Sequence, residues 1–151
     1  MRAGRYQWRF RGGPSSSTPA PRGDWPRPCR LRGKVRTSGR PTILVVDDDD
    51  SIREVLSEVL RDEGYGVVSA SNGQQALSEL RNHGQPDLML LDLMMPVMSG
   101  WELLELLQSS ADLSRIPVVI VSAMNAPEPY EHLTKPIDLD RLLATVSRLT
   151  A

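Results

Sequence analysis

The chain has 151 residues, 40% hydrophobic and 25% charged, the composition of one ordinary globular domain with room for a tail. No apolar run approaches the roughly 18 residues of a membrane span, the Arg- and Pro-rich start lacks the apolar centre of a secretory signal, and the lone Cys29 excludes an internal disulfide or an all-Cys metal cage. A cytoplasmic protein with no membrane partner is therefore expected.

The net charge of −1 hides a division. Residues 1–41 hold eleven Lys or Arg and one acid, a net +10, whereas residues 42–151 hold seven Lys or Arg and eighteen acids, a net −11. Residues 1–40 contain Gly12-Gly13-Pro14, Ser15-Ser16-Ser17 and prolines at 19, 21, 26 and 28. Without apolar periodicity this stretch cannot bury enough surface to offset its ordering entropy, so it reads as a disordered basic tail. A basic arm that touches nucleic acid or anionic lipid, with Trp8, Phe10 and Trp25 as candidate stacking residues, is one reading. An unselected tail, or upstream sequence included through a wrongly chosen start codon, is favoured over it, and nucleic acid is not expected as a partner.

From Pro41 the pattern changes. Thr42 to Val46 is a continuous apolar, β-branched run, the signature of a strand buried on both faces. Ser51 to Glu63 places Ile52, Val55, Leu56, Val59 and Leu60 on one helical face, with Asp50 or Ser51 as cap and Gly64 as stop. Gly66–Ala70 reads as a strand, Gln74–Asn82 as a helix ended by Gly84, and Leu88–Leu91 as a strand. Trp101–Gln108 reads as a helix, Pro117–Val121 as a strand, Glu131–Thr134 as a short fifth segment, and Leu139–Leu149 as a last amphipathic helix. Strands alternating with helices predict an α/β fold, a parallel sheet covered on both faces. Its site lies outside the carboxyl ends of the strands.

The polar residues fall there. The first strand runs into Asp47-Asp48-Asp49-Asp50, the third into Asp92, the fourth into Ser122, and the fifth segment into Lys135-Pro136. Carboxylates brought together repel unless a cation or proton intervenes. Mg²⁺ suits one or two carboxylates with water and a phosphate oxygen. Lys135 and the Ser122 hydroxyl add a positive charge and a donor, so the set suits phosphoryl transfer onto Asp92. Asp49 and Asp50 read instead as favourable charge at a helix start. Met89, Met94, Met95 and Met98 read as packing residues, His83 as a solvated residue in a helix's last turn, and Trp101 as core cover.

Val45-Val46-Asp47-Asp48, Leu90-Leu91-Asp92-Leu93-Met94-Met95-Pro96 with Gly100, Val121-Ser122-Ala123 and Lys135-Pro136 together resemble the receiver domain of bacterial two-component response regulators. The resemblance covers about residues 41–151. The intervals of 44 residues from Asp48 to Asp92 and 30 from Asp92 to Ser122 also look like the family's. It implies a doubly wound, flavodoxin-like five-stranded sheet in the order 2-1-3-4-5. It implies that Asp92 is the phosphoacceptor, served by a histidine kinase or phosphotransfer protein in a phosphorelay. Mg²⁺ would be held by Asp48, Asp92 and the Met94 backbone carbonyl, with Asp47 acting through water. Ser122 and Lys135 would contact the phosphoryl group, and the bond before Pro136 would be cis. Such a domain is no enzyme in the ordinary sense; it catalyses only its own phosphorylation and dephosphorylation.

One departure stands out. Only thirteen positions separate Ser122 from Lys135, and Pro127 and Pro129 oppose a helix between them. The helix that the family has between strands 4 and 5 is therefore expected to be shortened or missing. Eight extended residues reach at most about 26–29 Å, enough to return beside a short parallel strand. His132 occupies the family's aromatic switch position. Output is then expected to avoid the usual face, or a bare apolar groove there is covered by an unidentified downstream protein or by a second copy in a homodimer. Met94 and Met124, two past Asp92 and Ser122, cannot orient an attacking water, which predicts slow self-dephosphorylation. With no helix-turn-helix in view, a stand-alone signalling module is expected. The alternatives are a degenerate receiver that only docks and a Mg²⁺-dependent aspartyl-phosphate hydrolase; the latter generally wants an acid where Met94 stands.

Overall fold

The computed structural model describes residues 39–151; the tail, but for its last two residues, lies outside them, as do Cys29 and the aromatic residues Trp8, Phe10 and Trp25. The elements are β1 (Thr42–Val46), α1 (Asp50–Asp62), β2 (Gly66–Ala70), α2 (Gly73–His83), β3 (Leu88–Leu91), α3 (Gly100–Ser109), a 3-10 turn (Leu113–Arg115), β4 (Val118–Ser122), β5 (Glu131–Thr134) and α4 (Leu139–Thr150). All strands are parallel, in the order β2-β1-β3-β4-β5.

The continuous apolar runs are explained by two cores, one on each face. Leu44, Val46, Met89, Leu91 and Ile120 pack with α2 and α3, while Ile43, Val45, Leu88, Leu90, Val119 and Val121 pack with α1 and α4. Successive strand residues point to opposite faces, so a run apolar at every position fills both layers. Leu56 and Leu60 of α1 and Leu142 and Val146 of α4 close one layer; Ala76, Leu77, Leu80, Leu103 and Leu107 close the other.

Several boundaries move. The cap of α1 is Asp49, not Asp50 or Ser51: its Oδ1 accepts from the Ser51 and Ile52 N–H groups at 2.9 and 3.2 Å. Asp50 is the first helical residue and pairs with Arg53. Ser122 is the last residue of β4 rather than lying beyond it. Gly64 and Gly84, with φ of 89° and 81°, sit at the ends of α1 and α2, a conformation that costs glycine little. His83 closes α2 beside Glu79, at 3.0 Å, and Trp101 packs half-buried against the core.

Among the described residues no helix joins β4 to β5. On the α3 side the connecting loop packs against the core. Ala126 and Tyr130 of the connecting loop pack on that core, Ile120 beneath is fully buried, and the Gln108 amide donates to the Tyr130 hydroxyl at 2.8 Å. The loop itself does part of the missing helix's work.

Candidate functional site

Backbone hydrogen bonds carry the sheet's order one residue beyond the strands. The Asp47 N–H donates to the Ala70 carbonyl at 3.1 Å, the Asp92 N–H to the Val46 carbonyl at 2.9 Å, and the Lys135 N–H to the Ser122 carbonyl at 3.2 Å. Parallel strands put all their carboxyl ends on one edge, so these bonds fix Asp47, Asp92, Ser122 and Lys135 along a single rim.

One carboxylate oxygen from each of Asp47, Asp48 and Asp92 lies within 4.8 Å of the others. Asp47 and Asp92 are buried and Asp48 is exposed. Lys135 reaches across from β5: its Nζ donates to Asp47 Oδ2 at 2.9 Å and to Asp92 Oδ2 at 3.2 Å. The other oxygens are also engaged, Asp47 Oδ1 accepting the Asp49 N–H at 2.9 Å and Asp92 Oδ1 the Met94 N–H at 3.2 Å.

Burial, and secondarily the charge of Asp47, push the Asp92 carboxyl above the usual aspartate range, against the pull of the Met94 N–H and Lys135. Burial acts to lower Lys135, but its contacts with Asp47 and Asp92 outweigh that and hold the ammonium above its ordinary value. The cluster is therefore an acidic pocket only partly neutralised by one cation. Three hard oxygen donors facing one point, with one of them open to solvent, fit Mg²⁺ by donor type and charge.

The other expected residues are placed as follows. Ser122 is buried, and its Oγ accepts the Met124 N–H at 3.2 Å. Met94 lies against the site through its backbone, but its side chain is 59% exposed, so it is not the packing residue expected. It follows a buried aspartate at a strand end, and its N–H faces that carboxylate, leaving its side chain to solvent. Met89 is buried, and Met95 and Met98 pack on the core. His132 is half-buried, with Nε2 donating to the Ser122 carbonyl at 3.1 Å. The Lys135–Pro136 bond is cis, as is Glu128–Pro129.

Sequence reasoning missed Arg53. Its Nη1 donates to the Asp47 carbonyl at 2.7 Å while Nη2 pairs with Asp50, tying the acidic turn to the first turns of α1. The signal was present: an arginine three residues after Asp50 shares its helical face.

The description "Response regulator receiver domain" matches residues 43–147. The chain belongs to the receiver-domain family of response regulators. It is 35% identical over 132 residues to the two-component response regulator ORR5 of Oryza sativa, covering 80% of this chain and 98% of that protein. It is 32% identical to the probable transcriptional regulatory protein TcrX of Mycobacterium tuberculosis, covering 76% of this chain but only 52% of that protein. Among solved structures, the chemotaxis response regulator CheY4 of Vibrio cholerae superposes with a TM-score of 0.66 at 29% identity, over 73% of this chain and 98% of that one. In the described residues of this receiver domain no helix is long and apolar enough to cross a membrane.

Proposed function

We propose that this receiver domain accepts a phosphoryl group on Asp92 from a phosphohistidine of a histidine kinase or phosphotransfer protein, in the cytoplasm. The observation that carries the reading is the Lys135 ammonium bridging Asp47 and Asp92 beside Asp48.

In that reading an Asp92 carboxylate oxygen attacks phosphorus, the P–N bond to the donor imidazole breaks, and the imidazole leaves with its electron pair and is protonated from water. Burial makes the Asp92 oxygen more basic than a free carboxylate. Lys135 would pair with the phosphoryl oxygens once Asp92 is phosphorylated, and the Ser122 hydroxyl proton remains to be donated, since its oxygen only accepts from Met124. Asp48, Asp92 and the Met94 carbonyl, with Asp47 through water, are the groups that would hold Mg²⁺, and the ion would supply positive charge against the phosphoryl oxygens. His132, bonded to the carbonyl of Ser122, links that residue to β5, which supports its reading as a switch position.

The test is incubation of the full chain with acetyl phosphate, with and without Mg²⁺, beside Asp92→Asn. Stable acyl phosphate that requires both Mg²⁺ and Asp92 supports the proposal. Rapid turnover without accumulation indicates a hydrolase, and no labelling indicates a module that only docks.

A further inference from the structure

A groove of about 340 Å³ lies between α1 and the β5–α4 connection, lined by Ser51, Ile52, Val55, Leu56, Ile137 and Leu139 together with Lys135 and Pro136. Its floor is apolar, and its walls are unusual for surface positions: Val55 is 49% and Leu139 39% exposed. The flanks are acidic. Exposed Asp50, Glu54 and Glu58 lie along α1, and exposed Asp138 and Asp140 lie at the start of α4. Against them the same elements set Arg53, engaged by Asp50, Arg61 near the far end of α1, Arg141, and Arg148, engaged by Glu131, while Lys135 is engaged by Asp47 and Asp92.

An apolar slot with a negative rim fits a ligand that combines a large apolar side chain with positive neighbours. This chain carries one. Residues 22–32 read Arg-Gly-Asp-Trp-Pro-Arg-Pro-Cys-Arg-Leu-Arg, with four arginines against one acid around Trp25, within a residue 1–38 segment of net charge +9. Length permits the contact. Fourteen residue-to-residue steps separate Trp25 from Gly39, a reach of at most about 46–50 Å. The path from the start of β1 to the rim is five strand residues, about 17 Å, plus about a helix diameter of 10 Å.

We propose that the N-terminal segment of this same chain occupies the groove, with Trp25 seated on Ile52, Val55 and Leu139 and its arginines facing the acids of α1 and α4. The opposite net charges of the two parts of the chain bring them together, and the tether makes the encounter intramolecular.

Cys29 is the single cysteine of the chain and accepts a nitroxide label four residues from Trp25. In the ¹⁵N-labelled 151-residue chain, amide signals of residues 51–56, 135 and 137–139 should broaden severalfold more than those of α2, on the opposite face of the sheet. The broadening should weaken in about 1 M salt, where the screening length falls to roughly 3 Å, and disappear in Trp25→Ala and Val55→Glu. Mixing nitroxide-labelled ¹⁴N chains with unlabelled ¹⁵N chains identifies a second copy. Broadening only in the single-chain sample supports the proposal. Equal broadening in the mixture, broadening centred elsewhere, or none at all overturns it. None of these readouts needs phosphorylation, so failure here leaves the Asp92 reading intact, and the reverse.

Discussion

A methyl group on Gly100 would lie 2.2 Å from the carbonyl oxygen of Asp92 and 2.7 Å from the Cα of Leu93. The first residue of α3 thus rests directly on the backbone that carries the proposed phosphoacceptor, and its N–H donates to the Leu93 carbonyl at 3.1 Å. The obstruction is backbone, which cannot rotate away. Gly100→Ala should therefore destabilise the domain by about 1–3 kcal/mol and slow acetyl phosphate labelling at the same time, measured by denaturant melts and by phosphoprotein mass. A stable, fully labelled variant would contradict this packing.

Removing the Lys135 ammonium leaves Asp47 and Asp92 without their shared cation. Lys135→Met should cost about 3 kcal/mol in metal-free buffer, the low end for breaking a buried ion pair because the lysine is partly exposed. Added Mg²⁺ should recover part of the loss. Because the folded state holds the ammonium above its ordinary 10.5, the wild-type contribution is complete below that pH and fades as pH climbs through the raised value. Urea melts across the alkaline range should show that fade in the wild type and not in the variant.

Asp92 carries the opposite sign. Its folded-state pKa lies above 3.8, so the native chain binds a proton longer than the unfolded one, and stability falls as pH rises through that interval. Asp92→Asn should remove the cost, raising stability at neutral pH without Mg²⁺ by on the order of 1 kcal/mol, or roughly 3–6 °C in Tm. The difference should vanish at pH below 3.8. Mg²⁺ should reverse the ranking, since a ligand at 100 times its Kd adds about 2.7 kcal/mol to the form that binds it.

Met94 and Met124 each place a backbone N–H on a rim oxygen and expose their side chains, by 59% and 48%. A thioether neither donates nor accepts strongly enough to orient an attacking water. The purified acyl phosphate should persist far longer than seconds, and Met94→Glu should shorten its lifetime several-fold, followed by release of inorganic phosphate. A wild-type half-life of seconds would contradict the assignment of these positions.

The elements were legible because apolar periodicity is nearly unbroken from Ile43 to Leu149, and the candidate site because strand ends in a parallel sheet must share an edge. The parts not legible depend on choices among equals or on distant contacts. Four consecutive aspartates are chemically identical, so only the backbone turn shows that Asp49 caps α1 while Asp47 faces Lys135. Nothing local to Tyr130 announces its bond to Gln108, 22 residues earlier, so the loop's packing against the α3-side core could not be foreseen. Met94 looked like core because methionine usually is; its carbonyl and N–H matter here, not its sulfur.

The most direct test is to trap the modification chemically. After acetyl phosphate and Mg²⁺ treatment of the full chain, borohydride reduces an acyl phosphate to the alcohol and converts the modified aspartate to homoserine, which peptide sequencing locates. Homoserine is expected at position 92 alone, dependent on Mg²⁺. Homoserine at Asp47 or Asp48, or none at Asp92, would contradict it.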